Sequence, residues 1–291
     1  MKVKFITSIF SDLHMTKFGG RPGRGGHYRY SLLSLLKMTD ADFVCYTSDR
    51  EIEELSEFFY KEHGINDNQL KLVVYDLEKT KKSNLIYSYK NPNDVINSDR
   101  CIDIQYCKFE WLNDGLDNLY DYYFWIDAGL SHSGLIPVRY RTNEGWRGYF
   151  ESELFNNNFL KNLVSFTDDK IFIIGKENSR NYWSGTVDVK HFKNYNSSYH
   201  IIGGLFGGRL NQVKEFTEIF DNNVDIITNS DGRLYHEEDI MTVIWRNNEE
   251  KFNVQYFDTW WHENENIPGL NIEEHLSINK SFYKIIEDLN K

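Results

Sequence analysis

Several short stretches of this 291-residue sequence combine carboxylates, glycines and imidazoles in ways that could do chemistry. In Phe124-Trp125-Ile126-Asp127-Ala128-Gly129 an apolar strand delivers a carboxylate at its C-terminal end, and the glycine just beyond lets a ligand approach the backbone. A carboxylate so placed can hold a divalent cation on a diphosphate, since hard cations bridge carboxylate and phosphate oxygens. It can equally cap a turn. Ile201-Ile202-Gly203-Gly204-Leu205-Phe206-Gly207-Gly208 sets two glycine pairs around an apolar dipeptide. Glycine weakens a strand, so paired glycines imply close approach of a ligand or of another chain segment. In His236-Glu237-Glu238-Asp239, directly before the apolar run Ile240 to Trp245, the carboxylates either complement the dipole of a helix start or bring a general base to the mouth of a site.

Three further stretches say less. Ser11-Asp12-Leu13-His14 follows the first strand, and a strand ending in Asp-x-His opens the two-metal site of calcineurin-like phosphoesterases. The Gly-Asp, Gly-Asn-His and Gly-His-x-His segments which complete that site do not occur. The loop Gly19 to His27, with Arg21 and Arg24 among its glycines, offers backbone N–H groups to an anion or is a mobile surface loop. Its spacing matches neither the P-loop nor the dinucleotide fingerprint. Trp260-Trp261-His262 could line a carbohydrate surface or belong to a core, and His262 could ligate a metal or be an ordinary surface histidine.

The elements that must position these residues follow from hydrophobic period. Strands are predicted at Lys4–Phe10, Asp42–Thr47, Leu70–Leu77, Tyr122–Ile126, Lys170–Ile174, Tyr199–Phe206 and Val254–Phe257. Helices are predicted at Tyr30–Met38, Glu51–His63 (ended by Gly64), about Ile102–Leu116, Gly148–Leu163, Leu210–Phe220, Glu237–Arg246 and Ser281–Leu289. Alternating strands and helices in the first half imply an α/β fold with a mostly parallel, Rossmann-like central sheet and helices on both faces. The second half is more mixed. With four prolines and no Ser/Gly-rich or single-charge tract, no linker divides the chain, and one domain is expected. In such sheets ligands bind beyond the carboxyl ends of the strands, which here are Ser8 to Asp12, Thr47 to Asp49, Asp76 and Asp127.

Composition narrows the partners. Against 33 Lys+Arg stand 44 Asp+Glu, a formal net charge of −11, which disfavours nucleic acid and simple adsorption to anionic membranes. Aromatics at 16% supply the burial that a disordered chain lacks. Cys45, Cys101 and Cys107 lie in apolar stretches and read as buried free thiols. No signal peptide or membrane span is expected, so the expected location is cytoplasmic.

Taken in order, these pieces resemble a GT-A fold glycosyltransferase, and more narrowly the bacterial HtrL/YibB-like (WlaTC/HtrL) family of surface-polysaccharide enzymes. The resemblance spans roughly residues 3 to 262. It rests on Ile9-Phe10-Ser11-Asp12-Leu13, Arg29-Tyr30, Val44-Cys45-Tyr46-Thr47, Lys108 and Trp125-Ile126-Asp127-Ala128-Gly129. Farther on it rests on Gly203 to Gly208, Glu238-Asp239-Ile240-Met241 and Tyr256-Phe257-Asp258-Thr259-Trp260. It implies one GT-A-like domain, with a nucleotide-sugar-binding half over residues 1–130 and an acceptor-binding half over 131–291. The implied donor is a nucleotide-sugar, most often a UDP-sugar, with Mn²⁺ or Mg²⁺ on its diphosphate. Donor contacts would come from Thr7, Ser8, Asp12, Arg29, Lys108, Asp127 and Gly129, with Arg21 and Arg24 adding positive charge. Asp127 matches the first carboxylate of the metal-binding Asp-x-Asp motif and Gly129 replaces the second. His262 and water would then complete the metal shell, or Lys108 and the loop arginines would share the neutralisation. Asp239, then Glu238, are the expected catalytic carboxylates. Gly203, Gly204, Trp146, Trp183 and Trp261 are the expected contacts for a carbohydrate acceptor. A monomer or homodimer is expected. The competing expectations are a nucleotide- or glycan-binding protein without turnover and a metal-dependent phosphoesterase built on Ser11 to His14.

Overall fold

The computed structural model describes residues 1–10, 24–82, 99–128, 157–176, 187–190, 201–232 and 235–257. Its strands are β1 (Val3–Ile9), β2 (Asp42–Thr47), β3 (Leu70–Val74), β4 (Tyr122–Ile126), β5 (Ile171–Lys176), β6 (Ile201–Arg209) and β7 (Phe252–Phe257). They form one sheet in the order β3-β2-β1-β4-β6-β5-β7. Strands β1 to β4 pair in parallel, and so do β5 and β7. Strand β6 alone runs against both its neighbours, β4 and β5. The fold is therefore α/β with a mostly parallel sheet, and the reversed strand lies in the second half, where a mixed arrangement was expected.

Helices α1 (Arg24–Met38), α2 (Ile52–Ser56), α3 (Asp99–Asp114), α4 (Asn157–Thr167), α5 (Leu210–Asp231) and α6 (Glu237–Asn247) cover the sheet. Strand alternation divides the core between the two faces. Phe5, Ile9, Phe43, Cys45, Phe124 and Ile126 turn to one face and pack with Leu32 and Leu36 of α1, Leu55 of α2 and Phe159 and Leu163 of α4. Ile6, Val44, Tyr46, Tyr123 and Trp125 turn to the other, against Phe109 and Trp111 of α3, Phe216 and Phe220 of α5 and Ile240 and Ile244 of α6. Two apolar faces on β4 explain why Tyr122–Ile126 is apolar throughout. Cys45 and Cys107 are buried free thiols, and burial pushes both thiols well above their ordinary range.

Helix α1 begins at Arg24, so Gly25 and Gly26 belong to its first turn and not to the preceding loop, as glycine content alone suggested. The single helix expected at Glu51–His63 is a short α-helical stretch followed by a π-helical one, Glu57–Glu62. The wider turn lets Phe58 and Phe59 both be buried. Gly64, at φ +65°, ends it in a conformation that glycine adopts without cost. Helix α5 continues past Phe220 to Asp231 because Val224 and Ile227 extend the same buried stripe.

Candidate active site at the carboxyl ends of the central strands

Asp127 follows β4 directly. Its N–H donates to the Gly204 carbonyl (2.8 Å), carrying the β4–β6 ladder one step past the Ile126–Leu205 pair. Trp125, two residues earlier and therefore on the same face, donates its indole N–H to Asp127 Oδ1 (2.8 Å). The indole is buried, whereas the Asp127 side chain is 42% exposed. A fixed donor thus orients a carboxylate that faces outward at the end of the sheet.

Helix α3 supplies the positive charge. Lys108 Nζ lies 3.2 Å from Asp127 Oδ1, 3.0 Å from Glu237 Oε1 and 3.2 Å from the Gly203 carbonyl oxygen. It also sits 5.6 Å above the Trp125 ring. Burial opposes its charge, but the carboxylates of Asp127, Glu237 and Glu238 outweigh burial and hold the ammonium above the usual lysine range. Gln105 is three residues earlier on α3 and so shares that helix face. Its amide Nε2 lies 2.8 Å from His236 Nε2. Tyr106 donates its hydroxyl to the Tyr235 carbonyl (2.5 Å), so α3 grips the segment that enters α6.

Helix α6 opens with three carboxylates in its first turn, where its dipole favours them. Glu237 is nearly fully buried; Oε1 meets Lys108 and Oε2 lies 2.8 Å from His236 Nδ1. Burial alone would raise its pKa, yet Lys108 and then His236 hold the carboxyl below the usual range. His236 is pushed up in turn: burial opposes its charge, and the hydrogen bond to Glu237 with the charges of Glu237 and Glu238 prevails. Glu238 Oε1 accepts the Gly203 N–H (2.9 Å), and Thr242, one turn on, accepts the Ile201 N–H (3.2 Å). Burial, then the negative charge of Glu237, pushes the Glu238 carboxyl up to about 7. Asp239 is buried as well, with its N–H on the His236 carbonyl (3.1 Å). Together with burial and Glu237, it pushes the Tyr106 phenol up.

The glycines of β6 separate into two kinds. A Cβ on Gly207 would stand 2.2 Å from the Tyr123 carbonyl oxygen, and one on Gly208 would stand 2.9 Å from Gln212 Oε1; both glycines serve packing. A Cβ on Gly203 would stand 3.1 Å from Glu237 Oε1 and 3.4 Å from Lys108 Nζ, so here the close approach is made by the ion pair. Gly204 gives its carbonyl to Asp127.

Of the residues singled out from sequence, Asp127, Lys108, Glu238, Gly203 and Gly204 are therefore brought together at one end of the sheet. Thr7 is fully buried in β1, and Ser8 is half-buried two residues beyond the Ile6–Trp125 pair. The Arg29 guanidinium pairs with Glu54 and lies over the rings of Phe58 (5.0 Å) and Tyr30 (5.6 Å). Asp12, Arg21, Gly129, Trp146, Trp183, Trp261 and His262 lie outside the described residues, as do the side chain of Arg24 and the segment Ser11 to His14. Glu237, His236 and Trp125 stand within stretches noted from sequence but carried no role of their own there, and Gln105 was not noted at all.

No family model and no curated protein matches this chain. Solved structures do. An active-site mutant of LgtC, a galactosyltransferase, superposes with a TM-score of 0.51 at 8% identity, over 94% of this chain and 81% of that one. Mouse xyloside xylosyltransferase 1 in its apo form gives 0.53 at 12% identity, over 90% of each chain. The chain has a GT-A-like fold. In that fold Asp127, Lys108 and the first turn of α6 gather at one sheet end, where ligands of open α/β sheets bind. No described helix is long and apolar enough to cross a membrane.

Proposed function

We propose that this GT-A-like chain is a glycosyltransferase related to the HtrL/YibB-like enzymes. It transfers a hexosyl group from a nucleotide-sugar, foremost a UDP-sugar, to a hydroxyl of a glycan acceptor in surface-polysaccharide synthesis. The observation that carries this reading is the pairing of Asp127 at the end of β4 with Glu238 at the start of α6, joined through Gly203, Gly204 and Lys108. The likeness to two glycosyltransferases over 90% or more of the chain supports it. Residues 1–130 would bind the donor and residues 131–291 the acceptor.

Asp127 would hold Mn²⁺ or Mg²⁺. Its Oδ1 is engaged by Trp125 and Lys108, which leaves Oδ2 to face a cation. Among the described residues no group of three or more His, Cys, Asp or Glu could hold a metal, so diphosphate oxygens and water would supply other ligands. When bound, the cation neutralises the charge that builds on the departing diphosphate.

In the transfer, the acceptor oxygen bonds to the anomeric carbon while the bond from that carbon to the diphosphate oxygen breaks, and the nucleoside diphosphate leaves with the electron pair. The acceptor proton goes to a carboxylate. Glu238 serves this step: it is anchored through Oε1 to the Gly203 N–H, and a pKa of about 7 suits a general base at neutral pH. Asp239, more deeply set beside Tyr106, is the second choice. If configuration is retained, the same carboxylate stabilises the cationic sugar instead.

A thermal-shift screen of UDP-, GDP- and CMP-sugars, each with and without Mn²⁺, tests the reading, because a ligand raises stability by mass action. Stabilisation by a UDP-sugar, strengthened by Mn²⁺, is expected. No shift with any of them rejects transfer. A non-catalytic binding protein would instead keep its function in Asp127→Asn and Glu238→Gln, and a phosphoesterase would lose phosphoester hydrolysis in Asp12→Asn.

A further inference from the structure

We infer that Lys108 is a positioning residue for Asp127, enclosed by the chain's own oxygens, and not a ligand of the donor's diphosphate. An ammonium has three N–H donors. Around Lys108 Nζ three oxygens lie within 3.2 Å, each from a different element: it donates hydrogen bonds to Gly203 in β6 and Glu237 in α6 and forms an ion pair with Asp127 after β4. The Trp125 ring covers it from another side, and the side chain is 7% exposed.

A phosphate oxygen could reach Nζ only by displacing one of the three. Displacing Glu237 would take the ammonium from a carboxylate that is 2% exposed, and displacing Gly203 would break a hydrogen bond to a buried residue's carbonyl, both of which are costly. Displacing Asp127 would undo the orientation of this half-exposed carboxylate at the end of β4. The two roles therefore exclude each other. Charge points the same way, since Lys108 and His236 together already face three carboxylates, Asp127, Glu237 and Glu238. Gly203 is part of the device: the space its missing Cβ leaves is filled by Glu237 Oε1 and Lys108 Nζ, which lets the ammonium reach the strand's own carbonyl. Lys108 thus ties β4, β6 and α6 together at one atom and fixes where Asp127 presents its second oxygen.

The inference rests on the transferase reading only for the identity of the ligand. Its test uses the full chain, with UDP-galactose and UDP-xylose as calorimetric probes in the presence of Mn²⁺. Removing Lys108 alone would leave Glu237 buried with His236 but without its ammonium, so Lys108→Met is combined with Glu237→Gln to limit the buried negative charge. That pair and Asp127→Asn should each weaken binding about tenfold, and all three substitutions together should weaken it no further than either alone, because residues acting as one unit are not additive. Multiplying losses, about a hundredfold when combined, would show an independent contact from Lys108 to the donor and overturn the inference. A ligand-free readout separates the two failures. Proton exchange at the Lys108 ammonium, followed by nitrogen NMR, should be slow compared with that of Lys79, whose side chain is 83% exposed. Exchange as fast as at Lys79 overturns the inference. If neither UDP-sugar binds the unaltered protein while the ammonium is protected, the transferase reading falls and the positioning of Asp127 by Lys108 stands.

Discussion

The two ends of the sheet each bury a lysine amine against carboxylates and aromatic rings, but with opposite consequences. At the amino ends of β1 and β4, Lys4 donates to Asp117 and to the Gly115 carbonyl (3.2 Å), beneath the Tyr120 ring at 4.6 Å. Asp117 also accepts from the Leu119 N–H and the Tyr123 hydroxyl, both at 3.0 Å. One cation meets one carboxylate, and the Asp117 carboxyl is held below its ordinary value: burial opposes this, but the hydrogen bonds from Lys4, Leu119 and Tyr123 prevail. At the carboxyl ends one lysine and one histidine face Asp127, Glu237 and Glu238. Burial and the surplus negative charge push one carboxyl, Glu238, up to about 7. A cluster with matched charge holds the strands together. A cluster with surplus charge creates a group that can exchange a proton, which is where chemistry becomes possible.

The largest expected contrast is in activity. Glu238→Gln should lower transfer by about a hundred- to ten-thousand-fold, the usual worth of a positioned general base, while Asp117→Asn should leave kcat within about twofold. Initial rates on a confirmed acceptor measure both. Equal losses would erase the distinction between the two ends. The next contrast is in stability. Lys108→Met takes from buried Glu237 the stronger of its two cationic partners, leaving it with His236, and should cost about 3–5 kcal/mol in urea unfolding, the usual cost of breaking a buried pair. Lys4→Met should cost about 1 kcal/mol, because its partner Asp117 is 36% exposed and water screens the pair. Comparable losses would mean that both lysines are merely structural.

Much of this contrast was legible in the residues. The strand Tyr122–Ile126 and its terminal Asp127 could be placed because five apolar residues in a row admit few alternatives. Asp42–Thr47 was equally plain. The reversed direction of β6 was not legible, since strand direction depends on pairing partners far away in sequence, here β4 and β5. Glu237 was hidden for a different reason. In His236-Glu237-Glu238-Asp239 all three carboxylates suit a helix start, and only the helix rotation decides which one turns inward to Lys108 and which turns to Gly203. Nor did the partner helix mark its contact, since Gln105 and Lys108, three apart and so on one face, are only two of several polar residues in Asp99–Asp114, with Asp103 and Glu110 close by. The glycines of β6 look alike as letters, yet Gly207 answers to the Tyr123 carbonyl and Gly203 to an ion pair.

The smallest and most diagnostic contrast is in how stability follows pH at the two ends. Glu238 is raised from 4.5 to about 7, so between those values the folded chain holds a proton that the unfolded chain has released. Wild-type stability contributed by this group is therefore present below 4.5 and is lost as pH rises through about 7. A glutamine in place of Glu238 carries no such penalty and keeps an acceptor oxygen for the Gly203 N–H. Glu238→Gln should thus match the parent at acid pH and exceed it by about 1–3 kcal/mol at pH 8. Asp117 is lowered from 3.8, so its contribution is present above that value and fades as pH falls toward its folded value. Asp117→Asn should then be weaker than the parent by about 1 kcal/mol or less at neutral pH and converge with it in acid, since the group is partly exposed. The two difference curves run in opposite directions, and parallel unfolding titrations of the two variants read both. If Glu238→Gln lost stability relative to the parent as pH rose, in the way expected of Asp117→Asn, Glu238 would be an ordinary paired carboxylate and its proposal as the general base would fall.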